Sequence, residues 1–240
     1  MTTDFYGSRL RIGMILASKN TVAEPDVNAM LPNGVSIHTT RLHLVDTNPA
    51  ALQKMTNDAE QAAALLASAE VDLIVFHCTA ASTIDPEMGQ KIAQRIQRST
   101  GIASTATSEA LIDALNTLGA KKIVMLSPYP QAVNDAEVTF FSHYGIQVLH
   151  EVGYIPAKGL GSPSAQPDEW QRRAMTLKNP DADAYFLSCT NIRVISIIDA
   201  LEKDIHAPVI SSNQAMLWHC LRKGGIEDAI PNYGKLLRSH

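Results

Sequence analysis

The apolar residues of this chain fall into short buried-looking runs separated by longer amphipathic stretches. Runs of three to seven mainly apolar or β-branched residues read as strands at Leu10–Leu16, Val35–Thr40, Leu73–Phe76, Lys122–Leu126, Gln147–Glu151, Ala184–Leu187 and Pro208–Ile210. Helical periodicity covers Thr21–Met30, Ala50–Ala69, Pro86–Arg98, Ser108–Leu118, Gln131–Tyr144, Pro167–Leu177, Asn191–Lys203 and Asn213–Lys223. Asp85-Pro86 and Gln166-Pro167-Asp168 read as helix starts, and Gly101, Gly119, Gly145 and Gly224-Gly225 as helix stops. Strand and helix alternate along the whole chain, which predicts an α/β fold with mostly parallel sheets.

The pattern repeats. Arg11-Ile12-Gly13-Met14-Ile15-Leu16-Ala17 resembles Lys122-Ile123-Val124-Met125-Leu126-Ser127, and Ile12 and Ile123 are 111 residues apart. Cys78 and Cys189 have the same spacing of 111. Ser104–Leu111 resembles Ile210–Leu217, with Ala110 and Ala215 105 apart. Three segments recurring in order predict two pseudo-symmetric halves, each a parallel sheet flanked by helices. The first half takes residues 1–107 plus 212–240 and carries Cys78; the second takes residues 108–211 and carries Cys189. The competing explanation is that all βα units look alike.

Composition narrows the function classes. The chain has 240 residues, 45% hydrophobic and 18% charged, with a net charge of -4. No basic run suggests nucleic acid, so no nucleic-acid partner is expected. The N-terminus has no apolar signal core and no apolar run has the length of a membrane span, so a cytoplasmic protein with no membrane contact is expected. Three cysteines in such a chain do not make a disulfide framework. Cys220 lies inside a helical pattern and reads as packing.

Cys78 and Cys189 are different. Each follows an apolar strand run and precedes a Thr and a helix-like stretch (Phe76-His77-Cys78-Thr79 and Leu187-Ser188-Cys189-Thr190). A helix dipole favours a thiolate at its N-terminus, so both thiols are expected with depressed pKa values. Ligands in open parallel sheets bind at the carboxyl ends of the strands, so two packed halves would set the thiols across one cleft. The first βα turn, Ser18-Lys19-Asn20-Thr21, offers donors suited to a carboxylate. It also reads as a helix cap, with Glu24 closing a capping box. The matching turn, Ser127-Pro128-Tyr129-Pro130, holds Tyr129 rigidly, either as a donor to an anion or as a packing residue. Thr79, Ser82, Thr190 and Asn191 add donors beside the cysteines, and an enolate would gain most from such a set. His77 neighbours Cys78, but consecutive strand residues face opposite sides, so a structural role is expected. The histidines show no metal-ligand spacing, and no phosphate or dinucleotide loop is present.

These motifs resemble the aspartate/glutamate racemase superfamily, in the branch of maleate cis–trans isomerases and arylmalonate decarboxylases. The resemblance covers nearly the whole chain. Ser18, Asn20, Thr21 and Glu24 fit the isomerases' Pro-Ser-Ser-Asn-Thr-Thr-x-Glu turn, with Ala17, Lys19 and Val22 as departures. Cys78-Thr79 and Cys189-Thr190 fit the two cysteine motifs, Pro128-Tyr129 the tyrosine turn, and Ser212–Trp218 the closing helix. Tyr129–Gly145 and the tail Pro231–Leu236 look more like the decarboxylases. Those enzymes carry glycine where Cys78 stands, so two cysteines favour isomerase or racemase chemistry. The amino-acid racemases carry an Asp-Ser-Gly turn where this chain has Ser-Lys-Asn, which implies a substrate without a free α-amino group. The isomerases share an asparagine upstream of the second cysteine; here Ile155–Ser164 contains none, which implies an altered pocket loop.

The resemblance implies a cofactor-independent isomerase of a small unsaturated dicarboxylate, of the maleate-to-fumarate type, with no metal. Cys78 and Cys189 are the implied catalytic residues, and Ser18, Asn20, Thr79, Tyr129 and Thr190 the implied substrate-binding residues. The partner is a small carboxylate, and a homo-oligomer is expected. Two alternatives stay open: a racemase or arylmalonate-type decarboxylase of the same superfamily, and a non-catalytic carboxylate-binding protein with inert cysteines.

Overall fold

A computed structural model describes residues 5–44, 46–156 and 162–240. The first sheet holds β1 (Leu10–Ala17), β2 (Val35–Leu42), β3 (Leu73–His77) and β4 (Ala103–Ala106), all parallel, in the order β2-β1-β3-β4. The second holds β5 (Lys122–Ser127), β6 (Gln147–Gly153), β7 (Ala184–Leu187) and β8 (Val209–Ser211), all parallel, in the order β6-β5-β7-β8. The two orders are the same once the strands are counted from each half's start. The helices are α1 (Ala23–Met30), α2 (Pro49–Asn57), α3 (Ala59–Ala67), α4 (Thr79–Ser82), α5 (Met88–Thr100), α6 (Thr107–Thr117), α7 (Gln131–His143), α8 (Pro167–Thr176), α9 (Ile198–Ile205), α10 (Ser212–Lys223) and α11 (Lys235–Ser239).

Both faces of each central strand are apolar because helices cover both sides. Ile12, Met14 and Leu16 join Val75, Ile123, Met125 and Phe186 in one core. Ile15, Ala17, Ile74, Phe76, Val124, Leu126 and Leu187 face the other. This period of two is why strand runs, rather than alternating patterns, mark the sheets in the sequence. Helix α6 packs on α10, and α10 also packs on α1. No helix among the described residues is long and apolar enough to cross a membrane.

Several elements differ from the sequence expectation. The strand β4 is absent from it, because Ala103-Ser104-Thr105-Ala106 is short and half polar; pairing with β3 makes it a strand. The single helix expected over Ala50–Ala69 is broken at Asp58, which ends α2 and precedes α3. The first helix starts at Ala23 because the Asn20 side chain accepts the N–H groups of Val22 and Ala23. Glu24 closes no capping box; it forms an ion pair with Arg41. The helix expected from Asn191 starts only after a 3₁₀ turn at Ile195–Ile197. The glycine stops hold, with left-handed backbone at Gly101, Gly119, Gly145 and Gly225. Of the altered loop Ile155–Ser164, residues 157–161 lie outside the described residues, as do residues 1–4 of the N-terminus.

Candidate active site

The carboxyl ends of β1, β3, β5 and β7 converge on one cavity of about 230 Å³. Cys78 follows β3, Cys189 lies two residues past β7, and both line it. Each is only 7% exposed, so a substrate must enter the cleft to meet either sulfur. Its polar lining includes Lys19, Asn20, Thr47, Tyr129, Thr190 and Asn191, and its apolar lining Leu44, Leu52, Ala80, Ile155 and Pro156.

The two halves are joined at this cleft by buried hydrogen bonds. The Asn20 amide donates to Thr190 Oγ1 at 2.9 Å, while its oxygen caps the turn, so the cap and site readings of Asn20 are both realised. Thr21 N–H donates to Asn191 Oδ1 at 3.0 Å. Thr79 Oγ1 donates to Ser212 Oγ at 2.8 Å, and Cys189 N–H donates to the same oxygen at 3.1 Å. Ser212, the first residue of α10, therefore ties one cysteine motif to the other. The sequence places Ser212 in the closing helix but carries no sign of this role.

The environment of Cys78 corrects the expectation of a depressed thiol pKa. Burial pushes it up to about 12, against the smaller opposing effects of the Ala81 N–H and Lys19. The helix it precedes, α4, has four residues, too few aligned peptides for a strong dipole. In the resting cavity Cys78 is a neutral thiol.

Cys189 is not at a helix N-terminus either, since the chain turns through Thr190 to Val194 before the 3₁₀ turn. Its sulfur instead accepts the Asn191 N–H at 3.3 Å and hydrogen-bonds the Tyr129 side chain. Its φ is +123°, a region that non-glycine residues rarely adopt and that stores strain of about 1–3 kcal/mol. Such strain marks places where the surrounding bonds fix a side chain's direction against local preference, and here those bonds come from Ser212 and Asn191.

Tyr129 is 6% exposed, and burial beside both cysteines holds its hydroxyl well above pH 10, so it remains a donor. The turn that carries it is fixed by Ser127 Oγ, which accepts the Tyr129 N–H at 3.1 Å. Gly153 backs the same turn; a Cβ there would lie 2.3 Å from the Tyr129 carbonyl oxygen.

Two expected substrate-binding residues lie off the cavity. Ser18 is exposed, and its Oγ accepts the Leu44 N–H at 3.0 Å, which shapes the rim. Thr79 is fully buried with its hydroxyl spent on Ser212. Neither lines the cleft with its side chain, because each hydroxyl is held by another partner, the Leu44 N–H for Ser18 and Ser212 Oγ for Thr79.

His77 is structural, as expected. It is fully buried, burial pushes it down to about 4, and Asn213 Oδ1 holds its Nε2–H at 2.9 Å. Its Nδ1 then accepts from Thr107 Oγ1 at 2.9 Å. Cys220 is fully buried beside Met216 and is likewise packing.

Two further residues give no sign of their roles in the sequence. Arg41 donates to the carbonyls of Ser18 and Asn20, at 3.0 and 2.7 Å, and so fixes the first βα turn. Glu137 on α7 is completely buried; its Oε1 accepts from Ser188 at 2.9 Å, and its Oε2 has no partner among the described residues. Burial pushes this carboxyl up to about 8. A carboxylate in an amphipathic helix reads as solvent-facing until the packing is known. Among the described residues no group of three His, Cys, Asp or Glu is placed to hold a metal ion.

The site geometry defines a protein of the two-thiol α/β class, with cysteines presented from matched strand ends. The chain belongs to the arylmalonate decarboxylase family, Amdase, whose model matches residues 12–237. It is similar to a maleate isomerase of Geobacillus stearothermophilus, 27% identical over 95% of this chain and 96% of the relative. It is also similar to an arylmalonate decarboxylase of Bordetella bronchiseptica, 28% identical over 59% of this chain and 60% of the relative. Among solved structures, a Nocardia farcinica maleate cis-trans isomerase shares the fold at a TM-score of 0.90 and 20% identity, covering 96% of this chain and 99% of that one. That structure is a cysteine-to-serine mutant with a covalently bound succinylcysteine intermediate. Unliganded arylmalonate decarboxylase shares the fold at 0.81, with 19% identity over 95% of this chain and 98% of that one.

Proposed function

We propose that this protein is a cofactor-independent cis–trans isomerase of a small unsaturated dicarboxylate of the maleate type. The observation that carries the reading is the pair of thiols lining one small cavity from matched strand ends. Full-length similarity to maleate isomerases supports it. So does the succinylcysteine of the Nocardia relative, which is the product of a thiol adding to a butenedioate.

Cys78 is the nucleophile of the proposed reaction. Its sulfur, as thiolate, forms a C–S bond to one alkene carbon, and the π electron pair moves onto the other carbon and its carboxylate. The C–C bond is then single and rotates. The pair returns, the C–S bond breaks, and the trans isomer leaves with no net change in atoms or electrons. Cys189 faces the carbon that carries the charge and exchanges a proton with it. Asn20, Tyr129, Thr190 and Asn191 supply the N–H and O–H donors for carboxylate oxygens, and these bonds strengthen as charge develops there. The resting Cys78 thiol is neutral, so as the C–S bond forms its proton passes to the substrate carboxylate that takes up the charge, and it returns to the sulfur as the C–S bond breaks. The Ala81 N–H and Lys19 are the groups that favour the thiolate.

Proton NMR of the protein with maleate in deuterated water tests the reading. Conversion of the maleate alkene signal to that of fumarate is expected. A second arm with phenylmalonate tests decarboxylation, which the family model's description keeps as the second reading. Loss of carbon dioxide from phenylmalonate with no change in maleate would replace the first reading by the second.

A further inference from the structure

Among the described residues that line the cleft, Lys19 is the one with a formal charge; the others are apolar, hydroxyl, amide or thiol side chains. Lys19 lies in the first βα turn, next to Asn20, on a backbone fixed by Arg41 through the carbonyls on either side of it. Its Nζ lies 3.4 Å from Thr47 Oγ1, a residue of the cavity rim, so the ammonium is turned along the mouth and not away from it. Its charge reaches Cys78, whose thiol it favours in the ionised form. The neutral donors Asn20, Tyr129, Thr190 and Asn191 line the same cavity and are all buried, whereas Lys19 is exposed. A small acid held there by one carboxylate, with its reacting carbons at the sulfurs, brings a second carboxylate to the mouth.

We propose that Lys19 is a specificity-determining residue, which pairs with the second carboxylate of the substrate and makes the site select dianionic over monoanionic acids. The inference rests on the isomerase reading for the identity of the substrate, but its binding part stands apart from turnover. An exposed ammonium–carboxylate pair is worth little, whereas one at the mouth of a cavity with apolar walls is screened less and gains more. The side chains of Leu44, Leu52 and Ala80 offer the second carboxylate no donor and the Thr47 hydroxyl is neutral, which leaves the selection for charge to Lys19.

Two measurements test it. Isothermal titration compares succinate, a dianion, with succinamate, its monoanionic amide, on the wild-type protein, Lys19→Met and Lys19→Arg. Wild type is expected to bind succinate at least about 10-fold more tightly, a difference of about 1.4 kcal/mol. Lys19→Met is expected to lose that preference, and Lys19→Arg to keep it within about 3-fold, because it keeps the charge. The second measurement is turnover of maleate and of maleamate. Lys19→Met is expected to lower kcat/KM for maleate about 10-fold more than for maleamate, the difference lying chiefly in KM, while the support Lys19 gives the Cys78 thiolate is lost equally for both. The inference is overturned if wild type binds neither acid, if it binds both alike, or if Lys19→Met keeps the preference. It is also overturned if Lys19→Met weakens both members of each pair equally, which marks a structural loss. If wild type prefers succinate through Lys19 yet leaves maleate unchanged, the isomerase reading fails and the dianion site stands.

Discussion

Glu137 gives the most direct link between a buried atom and a bulk measurement. Its carboxyl is pushed from an ordinary 4.5 up to about 8 by burial, with Glu151 adding to the rise and the Ser188 bond opposing it. The folded protein therefore binds a proton in the window from about 4.5 to about 8 that the unfolded chain has released. Stability from this group is fully present below 4.5, falls as pH rises, and is flat again above 8. A pKa that differs by one between the folded and unfolded chain corresponds to about 1.4 kcal/mol, so the full span is on the order of 5 kcal/mol. Glu137→Gln keeps the size and an acceptor for Ser188 but cannot ionise. Urea unfolding of both proteins at several pH values across that window cancels in the difference the titrating groups that do not interact with Glu137. The variant is expected to gain on wild type progressively as pH rises, by several kcal/mol at the upper end. A difference that moves by less than about 1 kcal/mol would show that Glu137 is ionised or solvated in the folded state, and the burial argument would fail.

Other outcomes follow from the site. Cys78→Ala and Cys189→Ala are each expected to lower turnover at least about 10³-fold, the scale of losing a nucleophile or general acid, while Cys220→Ala stays near wild type; steady-state kinetics decides. Cys189→Gly is expected to be about 1 kcal/mol more stable than Cys189→Ala in thermal unfolding, because glycine tolerates φ +123° and alanine does not; equal stabilities would remove the strain argument. Alkylation of Cys78 by iodoacetamide is expected to accelerate steadily through about pH 9 and above, since its thiol lies near 12; a plateau below about pH 8 would mean a thiolate that the burial does not permit. Turnover is expected to survive dialysis against EDTA, and a loss restored by one metal ion would contradict the cofactor-independent chemistry.

The duplicated architecture was legible in the sequence because it is written in local patterns. Apolar runs of strand length, Pro at helix starts and Gly at helix stops all act within a few residues. The spacing of 111 between Cys78 and Cys189 is also a property of the chain alone. Even β4, which the hydrophobic pattern missed, overlaps the segment Ser104–Leu111 that resembles Ile210–Leu217. The residues that line the cleft divide along the same line. Asn20, Tyr129, Thr190 and the two cysteines could be placed at the cleft from sequence because strand ends and βα turns are where such folds present side chains.

The remainder depended on contacts between residues far apart in sequence. Asn191 looked like the first residue of a helix. Instead its side chain accepts from Thr21 and its N–H donates to the Cys189 sulfur, and these bonds hold it outside the helix. Ser18 and Thr79 carried the right chemistry and lost it to Leu44 and Ser212, partners 26 and 133 residues away. The thiol pKa went the other way from the local rule, because a helix dipole can be read from sequence whereas desolvation is a sum over whatever the whole fold packs around the sulfur. Ser212, Arg41 and Glu137 were unreadable for the same reason. A polar residue's role is set by the partner it meets. In this protein some of those partners, such as Thr190 for Asn20 and Cys189 for Ser212, are brought by the packing of the two halves against each other, and others, such as Ser188 for Glu137, by tertiary packing within one half; neither helical nor strand periodicity carries a signal for either.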